Sequence, residues 1–179
     1  MIKLFEPHVS NEEIRSTASI LKSKFWASGS GIQKVSEFEE KFQRFVNAKK
    51  CVAVSNGSAA LTLALSMFDI KKKEVLVPSL TFVSTVHAII ENGGIPVFVD
   101  INPHDLCMSF SDLNEKISKK SSMIIPVHFG GIPCTMDKIK KIAKNHSLSV
   151  VEDAAHACGS SFNSQKIGSH SDAVCFSFH

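Results

Sequence analysis

The sequence predicts an α/β fold, a mostly parallel sheet with helices on both faces. Two observations carry that expectation. From about residue 50 onward, short runs of β-branched and other apolar residues recur, and stretches with helical periodicity separate them. Apolar runs of this kind suit parallel strands covered on both faces, and the repeated exchange of strand and helix belongs to a doubly wound core. The composition agrees, since 44% hydrophobic and 21% charged residues in a 179-residue chain are ordinary globular proportions. At that length a single domain buries roughly 70% of the surface its unfolded chain exposes, so a core forms without disulfide staples.

In chain order, residues 1–48 form an N-terminal helical segment with two amphipathic stretches, 11–22 and 35–46. They are joined by the Gly/Ser-rich loop 25–31, which carries the only tryptophan, Trp26. The α/β domain follows at 49–179. Strands are expected at 51–54, 74–77, 96–99, 123–127, 148–151 and 173–176. Helices are expected at 59–68, 84–91, 111–117 and 136–146, the last with Met136, Ile139, Ile142 and Ala143 on one stripe. The final run, 173–179, reads as an interior strand with no helix after it to cover it, so the chain is expected to be a fragment.

Several function classes find no support. No run approaches the roughly 18 apolar residues of a membrane span, and Pro78, Pro96 and Pro126 interrupt the longest candidates. Residues 1–7 lack the apolar core of a signal peptide, which predicts a cytoplasmic protein. Five cysteines, at 51, 107, 134, 158 and 175, form no C-x-x-C pair and read as reduced thiols packed as small hydrophobes. The net charge is +3, and the basic runs Lys71-Lys72-Lys73 and Lys119-Lys120 are short and carry no interleaved aromatics, unlike a nucleic-acid footprint. Asp153, His156, Cys158, His128 and His170 fit no closed zinc pattern.

Two segments could carry chemistry. Ser55-Asn56-Gly57-Ser58-Ala59-Ala60-Leu61 follows a strand and opens a helix. Free N–H groups at a helix N-terminus, with a glycine permitting close approach, make an anion site. The same residues also read as an ordinary N-cap by Asn56 or Ser58. Glu152-Asp153-Ala154-Ala155-His156 places acids at the carboxyl end of a strand, the edge where open α/β sheets bind ligands. Asp153 there could pair with a cationic ring nitrogen and His156 could donate to a neighbouring oxygen. Equally, Asp153 could cap the next turn and His156 could be a satisfied, partly buried histidine. Neither segment matches the Walker A pattern or G-x-G-x-x-G.

Together with Ser36-Glu37-Phe38-Glu39-Glu40-Lys41-Phe42, Val77-Pro78-Ser79-Leu80-Thr81-Phe82-Val83-Ser84-Thr85, Gly94-Ile95-Pro96-Val97-Phe98-Val99-Asp100-Ile101, Ile125-Pro126-Val127-His128-Phe129-Gly130-Gly131 and Phe176-Ser177-Phe178-His179, these segments resemble the DegT/DnrJ/EryC/StrS sugar aminotransferases. That resemblance implies the large domain of an aspartate-aminotransferase-like fold, truncated before its C-terminal domain, and pyridoxal 5'-phosphate as cofactor. By the same resemblance Gly57, Ser58 and Ser177 contact the cofactor phosphate, and Phe82 stacks on the pyridine ring. Asp153 would pair with the ring nitrogen and His156 would contact the 3-oxygen.

The implied reaction moves an amino group from an amino acid, glutamate for preference, to a nucleotide-linked keto sugar in a homodimeric enzyme. The family's Schiff-base lysine falls just beyond His179, so the chain carries cofactor contacts and no catalytic lysine; Lys138 and Lys166 lie outside the motif. Two alternatives stay open: a sugar dehydratase of the same family, with histidine in place of that lysine, and a non-catalytic remnant or interaction protein.

Overall fold

A computed structural model describes residues 6–26, 34–169 and 171–179. Two helices lead. Helix α1 (Asn11–Ser23) is entered through a capping box in which Ser10 and Glu13 satisfy each other's backbone N–H groups, and none of its residues is buried. Helix α2 (Lys34–Val46) presents Phe38 and Phe42, whose rings pack edge-on against Phe178, with Phe42 also against Phe176. The first residues, 1–5, and the loop at 27–31 lie outside the described residues; Trp26 is exposed, with its indole N–H donating to the Leu21 carbonyl.

The rest alternates as the sequence predicts. Helix α3 (Gly57–Ser66), strand β1 (Glu74–Pro78), helix α4 (Val83–Glu91), strand β2 (Ile95–Val99), helix α5 (Phe110–Lys116) and strand β3 (Ser121–Ile124) follow in turn. A 3-10 turn (Phe129–Gly131), helix α6 (Met136–His146), strand β4 (Ser149–Asp153), a hairpin of β5 (Ser161–Phe162) and β6 (Gln165–Lys166), and strand β7 (Ala173–Cys175) complete the described chain. The five-stranded sheet has the order β2-β1-β3-β4-β7, and every pairing in it is parallel.

Strand alternation divides the core between two faces. Val75 and Val77 of β1 point into a cluster with Leu61 and Leu65 of α3 and Ile89 of α4. Leu76 points the other way, onto Leu113 of α5 and Met136 and Ile139 of α6. Helices therefore cover both faces, as a parallel sheet requires.

Three expectations change. Residues 51–54 are not a strand; Val52 is exposed, and the Ala53 N–H donates to Glu39 Oε1 at 2.8 Å. β-propensity needs a neighbouring ladder to satisfy the backbone, and no described strand lies beside this run. The strand expected at 123–127 runs instead from Ser121 to Ile124, with Val127 making only an isolated parallel bridge to Asp153. The β5–β6 hairpin was not anticipated; its turn residues Asn163 and Ser164 both take positive φ, 49° and 62°. Beyond it Gly168 sits at φ +139°, where an added Cβ would fall 2.5 Å from Val46 Cβ, so its lack of a side chain lets this loop close on α2.

Candidate active site at the carboxyl edge of the sheet

The sequence-predicted site residues gather at the carboxyl ends of the strands. Asn56 is the cap of α3, with its Oδ1 accepting the Ala59 N–H at 2.8 Å. The Ser58 hydroxyl is thereby released from capping and donates to Ser84 Oγ at 2.7 Å, in the first turn of α4. That helix begins at Phe82 with no side-chain cap. Two helix N-termini, each the positive end of its dipole, thus meet through a pair of hydroxyls.

Gly57 brings the chain end into the same place. A Cβ built on it would stand 3.0 Å from Ser177 Cβ and 3.3 Å from Ser177 Oγ, so a side chain here would make the strand-end segment give by a few tenths of an ångström. Ser177 is distant in sequence from Gly57 and Ser58, yet the three form one polar corner, and Ser84 belongs to it. The Phe82 side chain beside it is 71% exposed, and other apolar side chains of the surface, such as Val52 and Met67, are comparably exposed.

Asp153 ends β4 and is 4% exposed. Its Oδ1 accepts the Ala155 N–H at 3.1 Å, which is the turn-capping role; its Oδ2 accepts from the Thr85 hydroxyl at 2.7 Å. The turn-capping reading is thus realised, and the second oxygen is held by a hydroxyl from α4. Since the Thr85 proton is committed to the carboxylate, the Thr81 hydroxyl, 2.7 Å away, donates to Thr85 Oγ1. The charge is felt nearby: burial first and then the Asp153 carboxylate push the Cys175 thiol up to about 12.

His156 is exposed, and its Nδ1 accepts the Gly130 N–H at 3.2 Å. A ring that accepts at Nδ1 carries its proton on Nε2, so His156 offers a donor to the site. Phe129 packs edge-on against it at 5.7 Å. Behind, His128 and Glu152 are fully buried and joined at 2.7 Å.

The thiols divide. Cys107, Cys134 and Cys175 are buried as expected of small hydrophobes, whereas Cys158 is exposed. Lys166 lies over the Phe45 ring at 3.4 Å and Lys138 over the Phe110 ring at 5.2 Å, so both lysines are engaged with aromatic rings. His170 lies outside the described residues, and among those described no group of three or more His, Cys, Asp or Glu side chains is placed to hold a metal ion. No described helix is long and apolar enough to cross a membrane. A concavity of about 550 Å³ lined by Lys72, Lys73, Lys119 and Lys120 opens near the amino ends of β1 and β3, away from these residues.

Sequence reasoning missed Thr85, Ser84 and the His128–Glu152 pair as site components. Thr85 and Ser84 stand inside a segment it singled out, but their partners lie 68 and 26 residues away.

The chain is similar to known proteins. The spore coat polysaccharide biosynthesis protein SpsC of Bacillus subtilis is 41% identical over 174 residues, which is 97% of this chain and 44% of that protein. GDP-perosamine synthase of Vibrio cholerae is 35% identical over 179 residues, 99% of this chain and 48% of that one. The chain thus spans about half the length of the curated relatives it matches. Among solved structures, the PLP-form of the putative sugar aminotransferase Spr1654 from Streptococcus pneumoniae superposes with a TM-score of 0.92 at 29% identity, covering 99% of this chain and 49% of that one. The family model of the DegT/DnrJ/EryC1/StrS aminotransferases matches residues 7–179, nearly the whole length, and the chain belongs to that family.

Proposed function

We propose that the chain is the N-terminal part of a pyridoxal-phosphate-dependent aminotransferase that moves an amino group from an amino acid, preferably glutamate, to a nucleotide-linked keto sugar. The observation that carries this reading is Asp153: a carboxylate at the carboxyl end of a central strand, withdrawn from solvent and oriented by two donors. Relatives supply the reaction class, since GDP-perosamine synthase and a dTDP-3-amino-3,6-dideoxy-alpha-D-galactopyranose transaminase both resemble the chain.

The residues fit the cofactor. A phosphate needs several N–H and O–H donors in one corner, and Gly57, Ser58, Ser84 and Ser177 furnish them where two helix dipoles converge. The contact that a Cβ on Gly57 would make with Ser177 keeps that corner tight. The exposed Phe82 ring offers a stacking face. Asp153 would pair with the ring nitrogen and hold it protonated, and the Nε2–H of His156 would donate to the 3-oxygen. When bound, the cofactor supplies an electron sink for the carbon that gains or loses the amino group.

The chain's own contribution is to bind, orient and set charge. Thr85 and the Ala155 N–H fix the plane of the Asp153 carboxylate, so its charge is preorganised. On this reading a lysine outside the residues described above would serve as the covalent anchor. A pyridoxal phosphate titration of the chain, followed by borohydride reduction and mass spectrometry, tests the reading. Weak, reversible binding that Asp153→Asn reduces supports it; binding unchanged by Asp153→Asn, or no binding, overturns it.

A further inference from the structure

Glu152 and Asp153 are neighbours on β4, yet strand alternation sends them to opposite faces. Asp153 faces the candidate site. Glu152 faces the interior and meets His128, with neither side chain exposed at all.

The protonation of this pair follows from its hydrogen bonds. His128 Nδ1 accepts the Cys134 N–H at 3.0 Å, so Nδ1 carries no proton. Were Nε2 also an acceptor, the ring would be an imidazolate; were the ring cationic, two N–H groups would face each other at Nδ1. The neutral ring therefore donates from Nε2 to Glu152 Oε2 at 2.7 Å. Glu152 Oε1 has no hydrogen-bond partner among the described residues. Burying a carboxyl group with one oxygen unpartnered costs more than burying an apolar side chain of the same size. Fold stability alone gives no reason for Glu152.

The backbone that His128 anchors does give one. The His128 N–H donates to the Asp153 carbonyl at 3.0 Å, and the Asp153 N–H donates to the Pro126 carbonyl at 2.9 Å. The His128 carbonyl accepts the Gly131 N–H at 3.1 Å, closing the 3-10 turn, and Ser160 Oγ donates to the Gly131 carbonyl at 2.8 Å. Inside that turn lies Gly130, whose N–H reaches His156 Nδ1. The turn is short, carries a left-handed residue at Gly130 with φ 61°, and has no side-chain cap of its own.

We propose that the buried His128–Glu152 pair is a positioning device for His156: it pins the turn at Phe129–Gly131 so that the Gly130 N–H selects the Nε2–H tautomer of His156 and aims that proton at the ligand. Glu152 is a positioning residue and touches no substrate. The assignment of a ligand to His156 rests on the aminotransferase reading above; the tautomer relay does not.

The test uses the full chain labelled with ¹⁵N-histidine and glycine, read by long-range ¹H–¹⁵N spectra of the rings near neutral pH. In the wild type, His128 and His156 both show the Nε2–H tautomer, and a coupling across the hydrogen bond links the Gly130 amide to His156 Nδ1. Glu152→Ala and the better-filling Glu152→Leu leave His156 a mixture of tautomers, abolish that coupling and weaken pyridoxal phosphate binding by about tenfold, the equivalent of one charge-assisted contact. Glu152→Gln, whose amide oxygen still accepts from His128, restores all three. A folded Glu152→Ala or Glu152→Leu chain with His156 unchanged overturns the proposal, as does a wild-type His128 in the Nδ1–H form, which needs no variant to fold. Absence of pyridoxal phosphate binding in a wild-type chain that shows the coupling overturns the cofactor reading and leaves this relay standing.

Discussion

The Thr85 hydroxyl donates to Asp153 Oδ2 across 2.7 Å, joining two buried side chains 68 residues apart in the chain. The contact ties the first turn of α4 to the end of β4, and with it the uncapped helix start to the strand-end carboxylate. One hydrogen bond so placed holds the two halves of the candidate site in register.

Replacing Thr85 by valine keeps the shape and removes the donor. Asp153 Oδ2 is then left without its partner in a buried setting, which costs about 1–3 kcal/mol. Urea denaturation of Thr85→Val should show that loss, and pyridoxal phosphate should bind more weakly. Thr85→Ser, which restores the hydroxyl, should recover binding. Equal affinity in the valine variant would remove Thr85 from the site.

Gly57→Ala tests the phosphate corner. Its new Cβ meets Ser177 Cβ at 3.0 Å, tighter than an ordinary contact, so the segment carrying Ser177 must yield by a few tenths of an ångström. The expected cost to stability is about 1 kcal/mol, the low end for an overpacked contact. The expected loss is in the anion: inorganic phosphate should compete for pyridoxal phosphate in the wild type and much less effectively in the variant, read by fluorescence titration.

Phe42→Ala acts on the same corner from outside. Phe42 packs edge-on against Phe176 at 5.0 Å and Phe178 at 5.1 Å, flanking Ser177 on both sides. Phe42 is half-buried, so its loss should destabilise the chain by less than the roughly 3–5 kcal/mol of a fully buried Phe→Ala change. The chain end should also become accessible to protease while β1 and β3 stay protected from hydrogen exchange.

The thiols give a pH prediction with a definite sign. Cys175 is held near 12 in the folded chain against an ordinary value near 9, by burial first and Asp153 second. The folded state thus binds its proton more tightly than the unfolded state. The associated stability is fully present below about pH 9 and is lost as pH rises toward 12. Cys175→Ala should flatten that alkaline fall in stability relative to wild type, measured by denaturation at a series of pH values. Thiol labelling near pH 8 should modify the exposed Cys158 rapidly and spare Cys175.

Much of this molecule follows from local patterning. The runs at 74–77, 96–99 and 148–151 are apolar on both sides of the pleat, and the Met136–Ile139–Ala143 stripe has a single buried face, so strand and helix were legible before any contact was known. Gly57, Ser58, Phe82, Asp153, His156 and Ser177 were legible as a set because their segments stand in the order of a known family.

Tertiary structure decided the rest. The run at 51–54 has strand propensity, but a strand exists only where a second one satisfies its N–H and C=O groups, and the Ala53 N–H found Glu39 instead. The β5–β6 hairpin rests on two left-handed residues, Asn163 and Ser164, within a polar stretch too short to show a period. Thr85 with Asp153, Ser58 with Ser84 and His128 with Glu152 pair across 68, 26 and 24 residues. A hydrogen bond depends on distance and angle in space, and the chain order that sets helical and strand periods carries no record of which distant groups the fold brings within 3 Å.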